Sequence, residues 1–244
     1  MINYKKLFGH LCLIVAWIIA YYLLNNPIIL PSIWDIVKRI FELIYSGEIL
    51  SPLLVSLMRI VVAILLSITV GGVLSYLSYI YDIRDVFYPL FSLVKSTPVV
   101  SLVLIILFFS NKSYLSTIII FLIITPIVYE NILNGLDNIH VSRIELAKVY
   151  NLNSYRKFRY LHLPIIVEKI LFSMVIAIGI AIKAAITSEV IGGSSTGIGN
   201  LLYLSKISFE MVDLLSITVI IVVVSYVLEE AFRILLKKWK KIDD

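Results

Sequence analysis

The sequence predicts an all-α integral membrane protein with about six spanning helices and both termini on the same, cytoplasmic side. Three observations lead there. Of 244 residues, 60% are hydrophobic and 15% charged, against roughly 45–50% and about 25% in soluble domains. Six apolar stretches approach or exceed the ~20 helical residues that cross a bilayer core, near Leu7–Leu24, Leu53–Ile80, Val86–Phe109, Leu115–Leu133, Ile165–Ile191 and Val212–Leu236. With the termini inside, fourteen Lys and Arg fall on the cytoplasmic side and five outside, two more (Lys95 and Lys183) lying within spans. Excess cytoplasmic Lys and Arg sets orientation. The net charge of +5 therefore reflects topology, and nothing in it suggests a nucleic-acid partner. The single Cys12 excludes a disulfide framework, and the scattered His10, His140 and His162 offer no metal-ligand spacing.

One membrane domain accounts for residues 1–244, divided as a first span (1–30), an external amphipathic helix (31–48) and a core (49–241). The first run has a long apolar centre, and "AYYLLNNP" offers no small-x-small cleavage site, so it reads as a span and not a signal peptide. In "LPSIWDIVKRIFELI", Ser32 is placed to cap a helix with Asp35 three residues on. Ile33, Ile36, Val37, Ile40, Phe41 and Ile44 then recur at helical spacing opposite Lys38, Arg39 and Glu42, as in a helix lying at the external interface that braces the bundle. Ser51-Pro52 opens the second span, with proline near the first turn where its missing N–H does no harm. "YDIRD" suffices for a tight cytoplasmic reversal into the third span. Pro89, Pro98 and Pro126 fall in or beside the third and fourth spans, where they bend either a pathway or the packing.

"GGSSTGIGN" (192–200) imitates two catalytic loops. It lacks the Gly-Lys-Ser/Thr ending of a phosphate loop. Its Gly193-Ser194-Ser195-Thr196-Gly197 matches a serine-hydrolase elbow, yet all three histidines fall on the opposite side of a core about 30 Å thick. It reads as an extracytoplasmic turn. Lys183 and Glu189 sit inside the fifth run, where charge is costly and faces a bundle interior or wet cavity. Six residues turn a helix through about 600°, so the two diverge by about 120° and should seek separate partners. Each either lines a pathway or makes an interhelical contact, and Lys95 before "STP" is similar.

The passage Ile144–Pro164, "IELAKVYNLNSYRKFRYLHLP", is basic, aromatic and helical amid lipid-soluble runs. A short helix is predicted over 143–150, ended at Asn151, which tolerates the left-handed conformation. Asn153 or Ser154 caps a second helix carrying Tyr155, Phe158 and Leu161, and Leu163-Pro164 stops it and launches the fifth span. Two short helices rigidly joined to a span form a cytoplasmic knob.

That passage (142–164) resembles the EAA loop of ATP-binding-cassette importer permeases, whose pattern is Glu-Ala-Ala, three residues, Gly, then Ile/Leu-Pro. Here "ELA" stands at 145–147, Asn151 at the glycine position and "LP" at 163–164. "LPS" before the amphipathic helix, "TPIVYENILNGL", "SEVIGG" and "GIGNLLYLSK" resemble the branch carrying nitrate, sulfonate, taurine and similar compounds. The resemblance implies a type I importer permease fold in a bacterial cell membrane, usually a homodimer, which binds no cofactor and performs no covalent chemistry. ATP and Mg belong to a partner ATPase dimer, and an extracytoplasmic binding protein delivers substrate. By the same resemblance Glu145, Leu146, Ala147, Tyr150 and Asn151 touch the ATPase, and Gly193, Ser194, Ser195, Gly197 and the helix from Ile33 meet the binding protein. Charge within the spans, and not the resemblance, makes Lys183, Glu189 and Lys95 the pathway candidates. Leu146 and Asn151 depart from the pattern, and asparagine is the best non-glycine residue for a positive φ. An ion-coupled secondary transporter using Lys183 and Glu189 as a charge relay is the alternative.

Overall fold

The computed structural model describes the backbone of residues 4–26 and 28–243, and the side chains of 12, 15–26 and 28–237. Cytoplasmic Lys5, Lys6, Lys238, Lys240 and Lys241, and the start of the first run, fall outside the described side chains. The described elements are helical: α1 Tyr4–Leu24, α2 Ile33–Tyr45, α3 Leu50–Tyr81, α4 Arg84–Ser96, α5 Val99–Leu107, α6 Lys112–Asp137, α7 Val141–Val149, α8 Ser154–Lys157, a π-helical turn Phe158–His162, α9 Leu163–Gly192, α10 Ile198–Ile207 and α11 Met211–Asp243. Among the described residues four stretches are long and apolar enough to cross a membrane alone, based on α3, α6, the continuous Ser154–Gly192 helix and α11. The bent pair α4–α5 adds a fifth where the two helices count together as one broken span.

The centre is α6. It buries Ile119, Ile120, Ile124, Val128, Ile132 and Leu136 between α3 and α9. Without a hydrophobic drive between helices in lipid, close approach depends on small residues. On α3, Ser67, Gly71, Ser75 and Ser78 recur every third or fourth position and are all buried. A Cβ on Gly71 would lie 3.0 Å from the Thr125 carbonyl oxygen and 3.2 Å from the Val128 side chain. The Ser67 hydroxyl bonds across to the Phe121 carbonyl at 3.3 Å, and Tyr129 donates to Ser78 Oγ at 3.0 Å.

The third run, read as one span with bending prolines, is two helices. It breaks at Thr97-Pro98, where α4 and α5 meet at 101°. The cause is local. Proline disfavours helical backbone in the residue before it and donates no N–H, and Thr97 is extended at φ −80°, ψ 128°. At 1.5 Å per residue, nine-residue α5 rises only about 14 Å, too little for a bilayer core.

On the external side α2 forms as its cap predicts. Ser32 Oγ accepts from the Asp35 N–H at 3.1 Å and donates to the Asp35 carboxylate at 2.6 Å. Arg39 clasps Asp213 at the start of α11 with two bonds of 2.7 and 2.8 Å, which hold its pKa above the ordinary arginine value. Ser216 donates to the Ile36 carbonyl at 3.2 Å. Thus α2 is fastened to α11 by its polar flank, while Trp34, Phe41 and Tyr45 stay exposed.

Candidate functional site

The inner-face knob begins with α7. His140 caps it, and Asn151 ends it at φ +49°. The Leu152 N–H reaches the Ala147 carbonyl at 3.0 Å and the Asn151 N–H the Lys148 carbonyl at 3.0 Å. This is the paired closure of a Schellman motif, with asparagine in the position usually left to glycine. Asn153 then caps α8, its side chain accepting from the Arg156 N–H at 2.9 Å.

The faces of α7 divide sharply. Leu146, Val149 and Tyr150 are 55%, 79% and 73% exposed, an apolar tip on a segment outside the candidate spans. Glu145 and Asn151 are exposed beside them. Ala147, placed by the resemblance at the ATPase contact, is 5% exposed in this one chain. Its small side chain lets α7 lie close to the bundle, with Ile144 packed on the core beside it.

A correction concerns Leu163-Pro164, expected to stop the helix after Asn153. The helix runs on through Phe158–His162 as a π-turn, in which the Leu163 N–H reaches the Phe158 carbonyl five residues back. Pro164 follows at once, in the first turn of α9. A widened turn explains the continuity: proline in a regular helix clashes with the carbonyl four residues earlier, and π-bulges absorb such interruptions. Phe158 and His162 wedge this turn against Tyr76, with ring centroids 5.1 and 5.7 Å away. The knob is therefore continuous with a helix reaching Gly192.

On the outer face the turn after α9 is built around Glu189. It is completely buried. The Ser56 hydroxyl lies 2.9 and 2.8 Å from its two oxygens, Arg59 Nη1 donates to Oε1 at 2.8 Å, and the Gly199 N–H donates to Oε2 at 2.9 Å. Arg59, 12% exposed at its side chain, also donates to the Thr196 carbonyl at 3.0 Å and hydroxyl at 2.8 Å. One carboxylate thus joins α3, α9 and the N-terminus of α10, where backbone N–H groups favour negative charge. The glycines follow from this. Gly197 has φ +105°, and a Cβ there would fall 2.6 Å from the carboxylate; one on Gly199 would strike the Glu189 side chain. Gly193 ends α9 at φ +59°. Among the predicted outer-loop residues, Gly193, Ser194 and Gly197 belong to this latch, and Ser195 is exposed.

Lys183 and Glu189 do not pair. Lys183 is exposed on the surface of this one chain and makes no ion pair or hydrogen bond among the described residues. Lys95 is taken by Glu130 of α6 at 2.7 and 2.9 Å, with both side chains exposed. No group of three His, Cys, Asp or Glu suited to a metal occurs among the described residues. Sequence reasoning missed Arg59 and the row of Asn131, Asn134 and Asn138 on α6. A lone arginine seven positions into the apolar run from Leu53, and asparagines at spacings of three and four, were the available signals.

Residues 63–241 match the model of the family described as "Binding-protein-dependent transport system inner membrane component". The chain belongs to that family. It is an ATP-binding-cassette importer permease, a multi-pass inner-membrane component. Similar over 217 residues at 25% identity, covering 87% of this chain and 78% of the relative, is SsuC of Bacillus subtilis (strain 168), whose own assignment as an aliphatic-sulfonates transport permease is provisional. Two inward-facing crystal forms of the MetNI methionine ABC transporter share the fold. The native form gives a TM-score of 0.63 at 15% identity, covering 85% of this chain and 97% of that one; the selenomethionine-soaked form gives 0.62 at 16% over the same shares.

Proposed function

We propose that this permease forms, with a second copy of itself, the path of a small solute delivered by an extracytoplasmic binding protein and driven by a separate ATPase dimer. The observation that carries this reading is the knob. Leu146, Val149 and Tyr150 project an apolar tip from α7, which the Asn151 turn joins to α8, and α8 runs on through the π-turn into α9. Exposed apolar patches rimmed by polar residues mark protein contacts. Here Glu145, Lys148 and Arg143 supply the rim. The chain has no energy source of its own. ATP and Mg would bind the ATPase, whose closure would push α7 and, through the Asn151 turn and the continuous helix from Ser154, α9.

Co-purification tests it: the permease expressed with its ATPase should retain it, and Leu146→Asp with Tyr150→Asp should release it. Full retention by the double variant would refute the docking assignment. The relatedness to SsuC supports a sulfonate-like solute, and Lys183, an unpaired cation on a membrane helix, suits an anionic one. Wild-type uptake and selectivity in both Lys183→Ala and Lys183→Glu would remove Lys183 from the path. A relay between Lys183 and Glu189 has no geometric support, because Glu189 is sealed by Arg59, Ser56 and Gly199.

A further inference from the structure

At the cytoplasmic end, α6, the start of α7 and the start of α9 line a cavity of about 480 Å³. Its chemistry is out of keeping with so apolar a chain. Asn131, Asn134 and Asn138 line one wall from a single stripe of α6, at the i, i+3, i+7 spacing of neighbours on a helix. Arg143 of α7 and Lys169 of α9 enter from the other sides, and neither has an ion-pair partner among the described residues. Glu168 also borders the cavity and interacts elsewhere in the chain. Phe172 adds an apolar wall.

Lys169 has a fixed place. Its stem lies so close to Gly135 that a Cβ there would come within 2.6 Å of it. The glycine therefore makes room for the lysine. Lys169 and Lys183 are two sevenfold steps apart on α9, about 40° from alignment and some 21 Å apart along the axis. The unpaired cation of the span and that of the cavity thus share one side of the helix.

We infer that this recess binds a small organic oxyacid anion, sulfonate or carboxylate, on the cytoplasmic side, its charge met by Arg143 and Lys169, its oxygens by the asparagine amides and its carbon skeleton by Phe172. The assignment rests on reading the chain as a solute pathway.

The test uses the purified permease–ATPase complex in detergent, with ethanesulfonate as probe and inorganic sulfate as comparison. Calorimetric titration should show saturable ethanesulfonate binding, weakened about tenfold or more by Arg143→Gln and by Lys169→Met, since a charge-assisted hydrogen bond contributes about 1.5–3 kcal/mol. Lys169→Met keeps the stem over Gly135, so loss of fold does not confound the result. Absence of saturable binding, or binding by both variants equal to that of the wild type, overturns the site. Sulfate binding as tightly as ethanesulfonate overturns the organic ligand. Binding is read without any uptake measurement, so a failed transport reading and a failed site give different results.

Discussion

Replacing Glu189 by alanine probes the outer latch directly. The change deletes the acceptor of the Arg59 guanidinium, the Ser56 hydroxyl and the Gly199 N–H, in a place with no solvent access. Arg59, only 12% exposed, would remain charged with the Thr196 oxygens as its neutral partners. Breaking a buried pair from one side costs about 3–5 kcal/mol, a large part of the ~5–15 kcal/mol that holds a typical domain together. For a chain of this size each kcal/mol lowers Tm by about 2–4 °C, so a fall of roughly 10 °C is expected. The informative comparison is the double variant Glu189→Met with Arg59→Met. Replacing both charges by apolar groups of similar volume is often neutral, so it should recover most of the loss. Thermal unfolding of the purified permease in detergent, followed by circular dichroism, reads both. A Glu189→Ala variant within about 2 °C of wild type would refute the latch, and so would a double variant melting as low as the single one.

Other outcomes follow from the same geometry. Gly71→Val should destabilise by about 1–3 kcal/mol, as over-packing does, because its side chain meets the backbone of α6; urea or thermal unfolding checks this. Asn151→Gly should preserve ATPase co-purification, whereas Asn151→Val, forced to φ +49°, should lose at least 1 kcal/mol and weaken it. Deleting Arg159 should close the π-turn into regular helix and set Pro164 against a carbonyl, at about 3 kcal/mol; adding Pro164→Ala should restore much of the folded yield in size-exclusion chromatography. Lys95→Ala should change stability by less than about 1 kcal/mol, since its pair with Glu130 is exposed on both sides. It is the control for the Glu189 experiment.

What the sequence displayed was local. The Ser32 cap, the Asn153 cap and the left-handed Asn151 are all readable from a few consecutive residues, because the groups that satisfy them lie within one turn. The expected orientation likewise rests on counting Lys and Arg and not on placing them. Three features were hidden for a common reason. In an apolar run every face of a helix looks alike, whether it will meet lipid or protein, so periodicity did not reveal that α6 is enclosed. Arg59 and Glu189 are 130 positions apart, and only the assembled bundle brings them together. The 101° break at Thr97-Pro98 and the π-turn before Pro164 show the third limit. Proline announces an interruption, yet the surrounding packing decides whether the chain folds back or absorbs it.

The enclosure of α6 bears on how the protein is made. Of the four helices able to span alone it is the least apolar, carrying Thr125, Glu130, Asn131 and Asn134 toward its cytoplasmic half. Polar residues near a helix centre weaken spontaneous entry into lipid, so a nascent α6 is a poor independent guest of the bilayer. Its first shelter during synthesis is α3, already in place with the serine and glycine stripe, and its second, α9, emerges later. A ribosome stalled between the two would leave α6 half sheltered, the stage at which membrane quality-control proteases would find their substrate.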